Sequence, residues 1–172
     1  GNLGRPQNIP FVIECLRAAV HVPDAFFVIC GSGTEYGKLQ TFVEAEKYSN
    51  FLLLSGLPRA DYDKLVRSCH VGLLFLDHRF TIPNFPSRLL SYLQAGLPVI
   101  ACTDPATDIG DIAQAGGFGW KCPSDDPAAF VRTVERACSA DLAAMGDAGR
   151  MYFSAHYTAE QSYEIIMRGL ER

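Results

Sequence analysis

Asn84-Phe85-Pro86-Ser87-Arg88-Leu89-Leu90-Ser91-Tyr92-Leu93-Gln94-Ala95-Gly96-Leu97-Pro98-Val99-Ile100-Ala101 carries more structural information than any other stretch of this chain. It reads as a loop, a helix start, a short amphipathic helix, a glycine stop, a proline and a buried strand. A helix that opens on Pro86-Ser87-Arg88 gathers free backbone N–H groups, a hydroxyl and a guanidinium at one point. That combination suits a phosphate or diphosphate. The Ala95-Gly96-Leu97-Pro98-Val99 run then returns the chain to a sheet.

The same alternation extends in both directions. Strands are expected at Phe26–Cys30, Phe51–Ser55, Val71–Leu76, Val99–Cys102 and Gly119–Cys122. They are continuously apolar rather than alternating, which is the pattern of strands covered on both faces. Helices are expected at Pro10–Val20, Glu35–Tyr48, Ala60–Cys69, Pro86–Gln94, Ile109–Ala115, Pro127–Ser139, Leu142–Ala155 and Ala159–Leu170. The order predicts a doubly wound parallel α/β sheet of Rossmann-like type, flanked by helices, with Val71–Leu76 and Val99–Cys102 as inner strands. Such sheets bind ligands at the carboxyl ends of their strands.

The chain has 172 residues, 48% of them hydrophobic, enough for one domain with a full core. A net charge of −4 argues against a general nucleic-acid or anionic-membrane binder. The longest apolar runs are strand-sized, far short of a membrane span. The six cysteines show no Cys-x-x-Cys spacing, and Cys15, Cys30, Cys69 and Cys102 sit in or beside apolar runs. They read as reduced, metal-free thiols, which favours the cytosol. The four histidines form no ligand motif, and no metal or cofactor is expected. The chain opens on Gly1-Asn2-Leu3-Gly4 like a loop leaving a first strand.

Several loops compete as sites. Gly31-Ser32-Gly33-Thr34-Glu35-Tyr36-Gly37 follows a strand and opens a helix, but its Gly-x-Gly-x-x-x-Gly spacing is not the dinucleotide fingerprint. The next strand ends without an acidic residue for a ribose. The plain alternative is a tight turn with Thr34 as helix cap. Gly1 and Gly4 allow close backbone approach to a ligand, with Arg5 supplying charge. Leu57 could flank a flat base. Asp77-His78-Arg79-Phe80-Thr81 clusters polar side chains at a strand end, or is a solvated loop. Ser87 and Arg88 form the leading candidate, against an N-cap serine with a solvent-facing arginine.

Taken in order, these pieces resemble the nucleotide-sugar half of GT-B-fold retaining glycosyltransferases of the group 1 type, in particular bacterial enzymes that build surface polysaccharides. "G-N-L-G-R" resembles the family's first loop. "F-F-V-I-C-G-S-G-T-E-Y-G-K-L" resembles its second strand, Gly-x-Gly loop and helix. "F-L-L-L-S-G-L-P-R-A-D-Y-D-K-L-V-R-S-C-H-V-G-L-L-F-L" resembles the following strand, helix and strand. Pro86–Ala101 and the late "L-A-A-M-G-D-A-G-R-M-Y-F" complete the set. The resemblance implies that residues 1–172 form the donor-binding domain, with an N-terminal acceptor domain outside this chain. It implies transfer of a sugar from a UDP-sugar to a glycan or lipid-linked acceptor, in the cytoplasm or at the inner membrane face. Peripheral membrane association would come through the other half. Arg88 would stabilise the leaving diphosphate. Gly1, Asn2, Gly4, Arg5, Gly31, Gly33, Leu57, Pro86, Ser87, Leu89, Leu90 and Ser91 would bind the donor.

The chain also departs from the family pattern. Many relatives carry a glutamate, seven residues and a second glutamate that binds ribose hydroxyls. Pro83 and Ser91 stand at those places. A serine cannot accept bidentately as a carboxylate does. Two other readings therefore stay open. One is a nucleotide-sugar 2-epimerase on the same fold. The other is a degenerate, non-catalytic binding module.

Overall fold

A computed structural model describes residues 1–80, 82 and 84–170 of the chain. After a single 3-10 turn at Arg5–Gln7, the elements alternate. They run α1 (Ile9–Ala19), β1 (Phe27–Cys30), α2 (Tyr36–Glu46), β2 (Phe51–Leu54), α3 (Arg59–Ser68), β3 (Gly72–Phe75) and α4 (Arg88–Ala95). Then come β4 (Val99–Thr103), α5 (Ile109–Ala115), β5 (Gly119–Pro123), α6 (Pro127–Cys138), α7 (Leu142–His156) and α8 (Ala159–Leu170). Every strand pairing is parallel, as the helical crossovers require.

The middle of the fold is β4. It lies between β3 and β5, with Ile100 opposite Leu73 and Trp120. All five of its residues are buried. Its alternate side chains serve two different cores. Ile100 and Cys102 join Trp120, Cys122, Phe130 and the α1 residues Phe11, Cys15 and Leu16. Val99 and Ala101 join Leu74, Leu89, Leu93, Ile109, Ala113 and Phe118. The unbroken Val99-Ile100-Ala101-Cys102 run thus reports helices on both faces of the sheet. The inner position expected for this strand is observed.

Val71–Leu76 behaves differently from the expectation. It shortens to Gly72–Phe75 and, among the described residues, pairs only with β4, at the edge of a three-stranded sheet ordered β3-β4-β5. β1 and β2 form a separate parallel pair, with Phe27 opposite Phe51. Apolarity reports cover from helices above and below, and it does not report a strand alongside. Just past β3, the Asp77 N–H donates to the Pro6 carbonyl at 2.9 Å. Residues from the amino end of the chain therefore stand between the two sheets.

Helix α4 ends where the sequence places its stop. Gly96 adopts a left-handed conformation, φ 73°, and its N–H closes onto the Leu93 and Tyr92 carbonyls. Helix α7 packs directly on this end. A Cβ on Gly146 would collide with the Gly96 carbonyl oxygen. Arg150 of α7 donates to the Ala95 carbonyl at 3.1 Å. Among the described residues, no helix is long and apolar enough to cross a membrane.

Candidate functional site

At the carboxyl end of β1 the backbone is zipped to the start of the chain. Gly1 N donates to the Cys30 carbonyl at 2.5 Å, Ser32 N to Gly1 O at 3.1 Å, and Leu3 N to Ser32 O at 2.8 Å. Two glycines permit this approach. A Cβ on Gly31 would overlap the Gly1 carbonyl, and one on Gly33 would overlap that of Leu3. Gly33 also holds φ at 151°, a value side-chain-bearing residues rarely take. The glycine spacing in this loop therefore answers to chain meeting chain. Thr34 is not the helix cap. Glu35 holds that position with no side-chain capping bond, and its own N–H is donated to Leu3 O at 3.0 Å.

A cleft of about 670 Å³ opens beside this zipper, bounded by the carboxyl ends of β1 and β3 and the starts of α3 and α4. Of the residues singled out from the sequence, Gly1, Asn2, Gly31, Leu57, Pro86, Ser87, Arg88 and Ser91 line it. Gly4, Arg5, Gly33, Leu89 and Leu90 do not. Gly4 donates its N–H to the Gln7 side chain at 3.0 Å, and Arg5 lies exposed in the short turn. Leu89 is fully buried in the core under α4. The N–H groups of Leu89 and Leu90 were expected to face a ligand. They donate instead to Pro86 O and Ser87 O, at 2.9 and 3.1 Å. Thr81 and Pro83 lie outside the described residues.

Arg88 is the half-buried cation of this cleft. Its guanidinium reaches the Asn2 carbonyl at 3.4 Å and sits over Gly1. Among the described residues it has no carboxylate partner. Behind it, Tyr92 donates to Leu73 O at 3.4 Å, and burial pushes its phenol up to about 12. Ser87 makes no capping bond, so its hydroxyl is free on the wall. Sequence reasoning did not single out Tyr62, which α3 brings to the same cleft, or Cys30; Gln7, Ser32, Arg59, Asn84 and Phe85 fall in stretches it considered without being named as ligand residues. Arg59, directly after the Ser55–Pro58 strand exit, is the signal that could have pointed there. Phe85 on the rim packs edge-on against Tyr157, ring centroids 5.4 Å apart.

Asp77-His78-Arg79 is a closed unit apart from this wall. The Asp77 carboxylate accepts from Arg79 Nε at 2.9 Å, from a terminal guanidinium nitrogen at 2.6 Å, and from the Arg79 N–H at 3.0 Å. These bonds hold its pKa down at about 2.

The electrostatics of the cleft are one-sided. Two arginines and, among the described residues, no aspartate or glutamate stand on its wall; Arg59 is paired with Asp63 at 3.0 Å, just off the wall, and Arg88 is the cation left without a carboxylate. The chain as a whole carries more acids than bases. An anion is the ligand such a wall receives without desolvating a like charge.

Parallel strands flanked by helices, with this cleft at their carboxyl ends, have the Rossmann-like architecture of a GT-B glycosyltransferase half. Residues 1–140 match the family described as Glycosyl transferases group 1, and the chain belongs to that family. It is 26% identical over 164 residues to the probable glycosyltransferase WbjE of Pseudomonas aeruginosa, covering 95% of this chain and 41% of WbjE. The chain thus spans less than half the length of that relative. Among solved structures, Anabaena HepE in complex with UDP aligns with a TM-score of 0.77 at 16% identity, covering 99% of this chain and 47% of HepE. The pneumococcal O-GlcNAc transferase GtfA, in complex with UDP and GlcNAc, aligns with a TM-score of 0.72 at 19% identity, covering 99% of this chain and 35% of GtfA.

Proposed function

We propose that this chain is the donor-binding half of a glycosyltransferase and that its cleft receives the diphosphate of a UDP-linked sugar. The observation that carries this reading is the arginine-bearing cleft wall, free of carboxylates among the described residues, in an acidic chain. Family membership supports it, as do the UDP complexes of HepE and GtfA. Arg88 supplies the charge. The Arg88 N–H, which has no backbone acceptor among the described residues, and the free Ser87 hydroxyl add directed donors. As the bond to the sugar breaks, negative charge grows on the departing diphosphate, and these donors are fixed where it grows. A second domain supplies the glycan or lipid-linked acceptor, and closure of the two halves excludes water. We assign the reaction to the cytosolic side, where Cys15, Cys102 and Cys122, packed in the core, stay as thiols.

Titration of UDP into the full-length protein tests this reading. A charge-assisted hydrogen bond contributes roughly 1.5–3 kcal/mol, so Arg88→Ala should weaken UDP binding by about ten- to a hundredfold. No binding at millimolar UDP would support a non-catalytic module instead.

A further inference from the structure

Tyr62 occupies the first turn of α3 with its ring half-buried in the cleft wall. The groups that act on its phenol come from three elements. They are Arg88 at the start of α4, Cys30 at the end of β1, and Arg59 and Asp63 on its own helix. Among the described residues, its hydroxyl has no hydrogen-bond partner. A phenylalanine would fill the same space, so packing does not account for the oxygen.

The chemistry of the neighbours narrows what the oxygen is for. A guanidinium carries only donors, so toward Arg88 and Arg59 the phenol can only accept. Asp63, the nearby carboxylate, is engaged by Arg59 at 3.0 Å. Burial pushes the phenol above its ordinary range, so it keeps its proton at neutral pH. Cys30 offers only a weak sulfur acceptor, so the hydroxyl proton has no strong side-chain acceptor among these groups, and it shares the cleft wall with the cation that attracts an anion.

We propose that Tyr62 is a ligand-contacting, specificity-determining residue, whose hydroxyl donates to a phosphate oxygen of the nucleoside diphosphate held by Arg88. The inference rests on the proposed donor-site reading and adds a second grip from a different element. Two grips from two helix starts favour a diphosphate over a bare nucleoside, because the nucleoside offers neither of them an anionic oxygen.

Calorimetric titration of the full-length protein with UDP and with uridine, on wild type, Tyr62→Phe and Arg88→Ala, separates the outcomes. Tyr62→Phe should weaken UDP binding by about tenfold, as expected for one hydrogen bond to a charged group, and leave uridine binding unchanged. Unchanged UDP binding in Tyr62→Phe alongside a loss in Arg88→Ala overturns this inference and leaves the donor-site reading standing. Unchanged UDP binding in both variants overturns the donor-site reading as well. Equal weakening of UDP and uridine in Tyr62→Phe overturns the phosphate contact. Should Tyr62→Phe fail to fold, 3-fluorotyrosine at this position gives a second answer. Its more acidic phenol should move the alkaline loss of UDP affinity to lower pH, and an unmoved profile counts against the contact.

Discussion

The two helix starts that flank the cleft carry the same cation in different settings. Arg88 opens α4, a helix anchored by the fully buried Leu89 and Leu93, and its guanidinium is half-buried against Asn2 O without a carboxylate partner among the described residues. Arg59 opens α3, a helix that buries only Val66, and its side chain is 82% exposed and paired with Asp63. A guanidinium already fixed and unpaired loses little freedom when an anion arrives. One that is solvated and paired must give up both its water and its partner. The α4 side is the preorganised half of the grip, and the α3 side is the adaptable half.

The largest expected effect tests the foundation of that difference. Leu93→Ala should cost about 2–5 kcal/mol in denaturant unfolding, whereas Val66→Ala should cost roughly 1–2 kcal/mol. Equal costs would break the contrast between an anchored and a loose helix. Next in size is Arg88→Ala, with its ten- to hundredfold loss of UDP affinity. Arg59→Ala should lose no more than about fivefold, since an exposed charged contact contributes roughly 0.2–1 kcal/mol. Arg132→Ala, on α6 and paired with Asp126, should lose nothing. UDP titrations that rank Arg59 above Arg88 would reverse the assignment of the two roles.

A pH series sharpens the same comparison through the connection that leads from β3 into α4. Asp77 is buried and held at about 2, below its ordinary value of 3.8. Its pairing with Arg79 therefore stabilises the fold above the ordinary carboxylate range, and that contribution fades as pH falls toward 2. Wild type should exceed Asp77→Asn by about 1 kcal/mol near neutral pH, a modest figure because Arg79 is mostly exposed, and the gap should close in acid. A gap that stays constant from pH 7 to pH 2 in thermal melts would show that Asp77 acts through shape alone.

Strands and helices were legible from the sequence to within a few residues, because β4 and the α4–Gly96–Pro98 run obey strong local rules. The partners of β3 were not legible, since Gly72–Phe75 is apolar whether or not a strand lies beside it. Ser87 and Arg88 could be found because they open a helix directly after a strand and loop. Tyr62 could not, because the cleft joins α3 to a helix start more than twenty positions further on, and in sequence Tyr62 looks like one more packing residue of an amphipathic helix. The expected ligand-facing N–H groups of Leu89 and Leu90 failed for a local reason. The first turn of α4 closes on Pro86 and Ser87, consuming those donors within the helix itself.

The contact of Gly146 with Gly96 has a mechanical reach beyond its own neighbourhood. With no side chain between them, α7 lies directly on the end of α4, and its axis is set there by backbone against backbone. At the other end of α7, Tyr157 follows and bears on Phe85 at the rim of the cleft. One helix thus carries both the close contact with the end of α4 and, just past its last turn, the aromatic contact with the rim of the cleft. A residue that lines no part of the cleft therefore sits on the same helix as the aromatic brace of its rim, and a methyl group at Gly146 would have to be absorbed by a shift of one of the two helices.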